Sequence, residues 1–190
     1  VSAGGSGGPP PTGFLTNVYE YDGSTWTAGT GIPAVRAAMA AAGTLTAGLV
    51  FGGSSGPYFV HTSNTCAEYD GSSWTVGNTM TTGRTYLGGF GTQTAAAGCG
   101  GYTGAPTATN TVAATEEYDG TNWTAGGDLP VAKQNMKTSG IQTAGLSFGG
   151  SLPSPTVTTT ESYDGSSWTA SPATLATANR LGGDLQQELH

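Results

Sequence analysis

Four carboxylates stand at one recurring station. Asp22, Asp70, Asp119 and Asp164 each lie inside the phrase Tyr-Asp-Gly-x-x-Trp. A calcium loop needs several oxygen ligands at close spacing, and each phrase offers a single carboxylate. The Asp-Gly pair instead predicts the two φ > 0 positions of a tight hairpin turn. Basic residues recur as well: Arg36, Arg84 and Lys133 each follow a Trp by ten residues, and Arg180 follows Trp168 by twelve. Acids cluster just before the tyrosines, as Glu20, Glu68, Glu116, Glu117 and Glu161. Recurrence once per repeat predicts structural ion pairs, because a site for a substrate anion would break the symmetry.

Nucleophilic and metal chemistry find little support. His61 and His190 are the only histidines, and no Ser-His-Asp order, HExxH or paired-Cys spacing occurs. Lone His61 is expected as a solvated loop residue. Cys66 and Cys99 are too few for a disulfide framework or a four-ligand zinc site. Cys99 takes the station of Phe51 and Phe148, so it is expected as a small buried hydrophobe. The glycine runs lead into no Gly-Lys-Ser/Thr that would cradle phosphate. No catalytic residue, metal or cofactor is expected. What differs between repeats lies in the loops after the glycine pairs, which carry Phe14, Tyr58, Phe59, His61 and Tyr102. Aromatic rings beside Ser, Thr and Asn suit stacking on sugars or contact with a protein surface, and these five are the candidate ligand-binding residues.

The elements that hold these residues repeat four times. The phrases Tyr21–Trp26, Tyr69–Trp74, Tyr118–Trp123 and Tyr163–Trp168 place the Trp residues 48, 49 and 45 apart, with Thr after each. A glycine pair follows the first three Trp by 26 residues: Gly52-Gly53, Gly100-Gly101 and Gly149-Gly150. Counting on from Trp168 through His190 to Val1 puts Gly4 at the same station, so the sequence reads as a cycle of four repeats cut inside one of them. Within a repeat, strand-length runs such as Thr46 to Phe51 and Asn64 to Tyr69 alternate with turn residues, and no stretch shows a helical period. Four short antiparallel strands, repeated cyclically about every 45–50 residues, predict an all-β, four-bladed propeller. It forms one domain, 1–190, with one blade shared by 1–29 and 175–190 and the others at about 35–77, 83–126 and 132–170. Tyr21, Tyr69, Tyr118, Tyr163 and the four Trp are expected as buried structural stations. So are Arg36, Arg84, Lys133 and Arg180. Closure of the shared blade within one chain gives a compact ring, and completion by a neighbouring chain gives a head-to-tail polymer.

These marks resemble the kelch repeat: a glycine pair after the second strand, Tyr then Asp ending the third, Trp opening the fourth, and Arg at the start of the next blade. More narrowly, "EYDGSSWT" with "TQTAAAGCGG" or "IQTAGLSFGG" is similar to kelch-like arrays in environmental phage proteins of the tail-fibre type. The resemblance implies a binding or structural module on a virion or in an extracellular setting.

Composition narrows the partners. Gly, Thr, Ala and Ser make up more than half of the chain, and only 9% of residues are charged, against roughly 25% in ordinary globular proteins. A net charge of −7 provides no basic footprint for nucleic acid or an anionic membrane surface. No apolar run approaches the roughly 20 residues of a membrane span, and no signal peptide is marked. The expected function is non-catalytic recognition of a glycan or protein surface through the loops, with self-association possible. The competing expectation is a glycan-active propeller enzyme, which would need paired carboxylates facing one mouth.

Overall fold

The computed structural model describes residues 2–4, 13–56, 61–104, 110–152 and 155–179. Among them are fifteen short strands and no α-helix. The first sheet holds β1 (Ser2–Ala3), β2 (Val18–Tyr21) and β3 (Trp26–Gly29). The second holds β4 (Ala40–Gly43), β5 (Gly48–Phe51), β6 (Cys66–Tyr69) and β7 (Trp74–Gly77). The third holds β8 (Gly88–Thr92), β9 (Ala95–Cys99), β10 (Thr115–Tyr118) and β11 (Trp123–Ala125). The fourth holds β12 (Lys137–Ile141), β13 (Ala144–Phe148), β14 (Thr160–Tyr163) and β15 (Trp168–Ala170). In every sheet the strands lie in chain order and pair antiparallel. These are four propeller blades. The first has three described strands, and most of the segment expected to complete it, 180–190, lies outside the described residues.

The Asp-Gly turns differ from expectation. Tyr21 pairs with Trp26, Tyr69 with Trp74, Tyr118 with Trp123 and Tyr163 with Trp168, so the loop between them has four residues rather than two. Only its glycine is left-handed, as at Gly23, with φ of 104°. The Asp carboxylate folds over the turn instead. Asp22 Oδ1 accepts the backbone N–H groups of Ser24 at 2.7 Å and Thr25 at 2.8 Å, and Asp70 does the same with Ser72 and Ser73. An Asp side chain that satisfies backbone donors two and three residues on needs no φ > 0 of its own.

Blades stack face to face. The face of each blade that looks toward the next carries residues such as Leu49 and Phe51, and the receiving face carries the Tyr and Trp of the repeated phrase. Phe51 meets Trp123 with ring centroids 4.8 Å apart, and Phe90 meets Trp168 at 5.9 Å. Glycines make room for these rings. A Cβ on Gly89 or Gly98 would come within 2.7 Å of the Phe51 ring, and one on Gly145 within 2.3 Å of Phe90. The resulting clusters join Leu49, Phe51, Met80, Leu87, Tyr118 and Trp123, and Phe90, Cys99, Leu129, Met136, Tyr163 and Trp168. Burial of Trp at every station is not observed. Trp123 and Trp168 are 8% exposed, Trp74 is half-buried, and Trp26 is 59% exposed. The cause is position: the receiving faces of the third and fourth blades lie against a complete preceding sheet, whereas no described sheet covers that of the first.

The glycine pairs mark where one blade's chain passes the next. Gly53 N–H donates to Arg84 O at 2.8 Å, Gly101 N–H to Lys133 O at 2.9 Å, and Gly150 N–H to Asn179 O at 2.9 Å. Any Cβ on the first glycine of the pair would strike that same carbonyl, at 2.7 Å for Gly52 and 2.4 Å for Gly100. Asn179, not Arg180, therefore occupies the backbone position of Arg84 and Lys133 in the fourth repeat. Two residues after the basic station, Ala38, Tyr86 and Asn135 are left-handed, at φ of 52°, 56° and 57°. Their backbones form a relay across blades, with Tyr86 N–H donating to Ala38 O and Asn135 N–H to Tyr86 O, both at 2.9 Å.

Two outcomes test this packing. Trp123→Ala should cost about 3–5 kcal/mol, and a loss below about 1 kcal/mol in denaturant titration would show that the ring is not core. Ala38→Gly should stabilise by about 0.5–1 kcal/mol, because a left-handed Ala costs roughly 1–2 kcal/mol and added Gly flexibility returns only part of that. Destabilisation in the same titration would show that the Ala38 methyl packs usefully.

Candidate functional site

The basic stations are closed to solvent. Arg84 is fully buried and donates to Gly100 O at 2.9 Å, Ala114 O at 2.6 Å and Glu116 Oε1 at 3.0 Å. Lys133 is bound likewise to Glu161 and, at 3.4 Å, to Gly149 O. Arg36 has no acid opposite: Ala67 stands where Glu116 and Glu161 stand in later blades, and the guanidinium bonds Thr65 O at 3.0 Å and the Thr65 hydroxyl. Burial pushes the pKa of both arginines down, with Glu116 partly opposing this at Arg84. The expected ion pairs thus form in the third and fourth blades, Arg36 uses neutral acceptors, and Arg180 lies outside the described residues.

Three of the acids do something else. Glu20, Glu68 and Glu117 accept the phenol hydroxyls of Tyr69, Tyr118 and Tyr163, each from the following blade, the last at 2.6 Å. Phenol-to-carboxylate bonding therefore cross-links every successive pair of blades. The Tyr69 phenol is pushed up to about 12, chiefly because its hydrogen bond goes to the Glu20 carboxylate. Burial and the bond to Glu68 push Tyr118 up too, and burial and Glu117 push up Tyr163. Glutamines add a further clasp. Gln93 Nε2 donates to Gly48 O and Tyr69 O of the blade before, and Gln142 Nε2 to Ala96 O and Tyr118 O.

Antiparallel order sorts the remaining residues between the two ends of the blades. One end holds the Asp-Gly turns, where backbone donation holds the carboxylates well below the usual range, Asp164 at about 2 with the Ser167 N–H as leading cause. The other end holds the loops from second to third strand together with the later part of each crossover, whose first residues pass the next blade's Asp-Gly turn, as where the Thr30 hydroxyl donates to Ser72 O at 2.8 Å and Asn78 Nδ2 to Asn122 Oδ1 at 3.2 Å. Each of three loops is pinched at its base by an isolated bridge pair: Ser54 with Thr62, Tyr102 with Thr111, Ser151 with Thr156. Ser54 and Tyr102 also bridge to Ala37 and Thr85 on the crossovers. The Thr62 hydroxyl reaches Thr103 O of the next blade at 3.4 Å.

This loop end gathers Phe14, half-buried, His61, exposed, and Tyr102, half-buried. Tyr58 and Phe59 lie outside the described residues. Sequence reasoning missed Tyr86 and Asn135, which lie on the crossovers of the same end; their place two residues after Arg84 and Lys133 was the available signal. A separate groove of about 350 Å³ lies between the first two blades, lined by Ala3, Met39, Ala41, Val50, Tyr69 and Trp74 among others. Among the described residues that line it there is no carboxylate, imidazole, amine or thiol. Cys66 and Cys99 are free and buried, Cys99 as its station predicts. Burial raises the thiol pKa of both, Cys99 to about 12, so neither is poised as a nucleophile. Among the described residues no group of three His, Cys, Asp or Glu side chains is placed to hold a metal ion, and no helix is long and apolar enough to cross a membrane.

No protein-family model matches the chain, and no curated protein matches it. Matches among solved structures number 150 chains. One is the structure of YjhT, at 14% identity and a TM-score of 0.66 over 83% of this chain and 51% of that one. The likeness is one of fold, and the chain spans about half the length of the YjhT chain.

The interblade phenol bonds set a pH limit. The folded-state pKa of Tyr69, about 12, lies above the roughly 10 of an unfolded tyrosine. Its contribution is therefore complete below about pH 10 and lost as pH rises through the folded value. Tyrosinate absorbance at 295 nm should lag behind free tyrosine and then rise together with loss of structure. Ionisation of all eight tyrosines near pH 10 with the fold intact would contradict the assignment.

Proposed function

We propose that this chain is a non-catalytic recognition module whose binding face is the loop end of the propeller. The observation that carries this reading is the convergence there of loops that differ from blade to blade on a frame that does not. Phe14, His61, Tyr86 and Tyr102 contribute rings beside Ser and Thr hydroxyls and backbone groups. That mixture suits saccharide rings, which stack on aromatics and hydrogen-bond at their edges, and it suits the polar surface of a protein. The disposition of the acids supports binding over turnover. Of the described acids, Glu116 and Glu161 are paired with bases, Glu20, Glu68 and Glu117 with phenols, and the four turn aspartates with the backbone of their own turns, which leaves only Asp128, exposed on the crossover to the fourth blade. A glycosidase needs two carboxyl groups across one scissile bond, roughly 5–10 Å apart. The kelch resemblance adds a setting, an extracellular or virion appendage, in which glycans and protein surfaces are the available targets.

A glycan array run beside chromogenic glycosides tests the proposal. Retention without turnover is expected, falling at least tenfold in Tyr102→Ala or His61→Ala with the melting temperature of His61→Ala unchanged. Glycoside turnover abolished by substituting one acid would overturn it in favour of an enzyme.

A further inference from the structure

The first and last blades present complementary halves of the interface that the chain builds three times within itself. On the receiving face of the first blade, Tyr19, Tyr21 and Trp26 are 45%, 44% and 59% exposed. The corresponding tyrosines Tyr69, Tyr118 and Tyr163 are almost wholly buried. On the outgoing face of the fourth blade, Leu146 is 39% exposed, although Leu49 and Ala97, its counterparts in the second and third blades, are buried against the next sheet. Ile141, on the same face by strand alternation, is exposed as well. Each end thus carries the surface that the other end's neighbours bury.

We propose that a second copy of this chain covers these faces: the fourth blade of one molecule packs on the first blade of the next, head to tail. The contact continues an interface already made inside the molecule, with Leu146 taking the role of Leu49 and Trp26 that of Trp123. A wholly buried aromatic removes roughly 150–250 Å² from water, so the half of each of these three rings still exposed leaves about 100 Å² apiece to cover, and a contiguous patch of that extent marks an interaction site.

One substitution sets this contact apart from the internal ones. The carboxylates that accept the interblade phenols are Glu20, Glu68 and Glu117, each just before its own Tyr; in the fourth blade that position is Ser162. Ser162 is paired with Leu146 on the outgoing face, so the acceptor for Tyr21 is missing from it. The Tyr21 hydroxyl donates instead to Gly23 O of its own turn, at 2.9 Å. The end-to-end contact therefore has the apolar part of the internal interface and lacks its charge-assisted bond, which makes it weaker and reversible.

Sedimentation of the full chain over a wide concentration range tests this. Dimers or longer assemblies that form reversibly with concentration are expected. Trp26→Ala, at an exposed position, should weaken association at least tenfold with an unchanged far-ultraviolet spectrum. Ser162→Glu should strengthen it about tenfold by restoring an acceptor for Tyr21, and Tyr21→Phe should remove that gain. A monomer at every concentration overturns the proposal. So does a monomer in which Ser162→Glu raises the melting temperature without changing the mass, because that result assigns the first blade's cover to its own fourth blade.

Discussion

The structure hangs on one short backbone bond, made by Gly53, Gly101 and Gly150, from the second glycine of a pair to the carbonyl of the basic station, or of Asn179 in its place, on the crossover that follows. At Gly53 and Arg84 the distance is 2.8 Å, and any side chain on Gly52 would occupy the space of that carbonyl. Two successive left-handed residues are required there, at φ of 68° and 90°, and only glycine adopts them without penalty. Because the bond ties the second strand of one blade to the entry of the next, it fixes both the spacing and the rotation between sheets. The basic side chain that follows from the same residue then turns inward. Arg84 consolidates its own blade through Gly100 O, Ala114 O and Glu116.

Such a chain has few large side chains with which to build a core, and it compensates by placing them where two sheets meet. A phenylalanine from one blade lies over glycines and a Tyr-Trp pair of the next, so each ring serves two sheets. The tyrosine hydroxyls at the same interfaces are not left idle. A buried phenol would be costly without an acceptor, and the glutamate just before the preceding blade's own tyrosine supplies one. Acids that composition alone would assign to solvent thereby become joints between sheets.

Most of the frame was legible because every mark recurs. The Tyr-Asp-Gly-x-x-Trp phrase, the glycine pair and the ten-residue offset of Arg36, Arg84 and Lys133 fixed blade number and strand order without reference to any single residue. What recurrence hides is the difference between repeats. Trp26 reads like Trp123, yet burial belongs to the neighbour as much as to the residue, and no described sheet lies against the first blade's receiving face, where Trp26 is exposed. Glu116 and Glu117 are adjacent, yet strand alternation sends one to Arg84 and the other to Tyr163. The Asp turn was misjudged by two residues because a side chain, not the backbone, satisfies its donors. The candidate face was half legible: loop aromatics stood out by composition, whereas Tyr86 and Asn135 required knowing which end of the blade a crossover reaches.

The bridge pairs at the base of each loop isolate what lies beyond them. Between Ser54 and Thr62 there are seven residues, between Tyr102 and Thr111 eight, and between Ser151 and Thr156 four, yet the ladders below keep the same pairing. Changes in length are absorbed above the pinch. Heredity can therefore rewrite these segments one at a time, by point change, insertion or exchange between repeats. A lineage under pressure to follow a shifting target could diversify its grip without renegotiating its architecture.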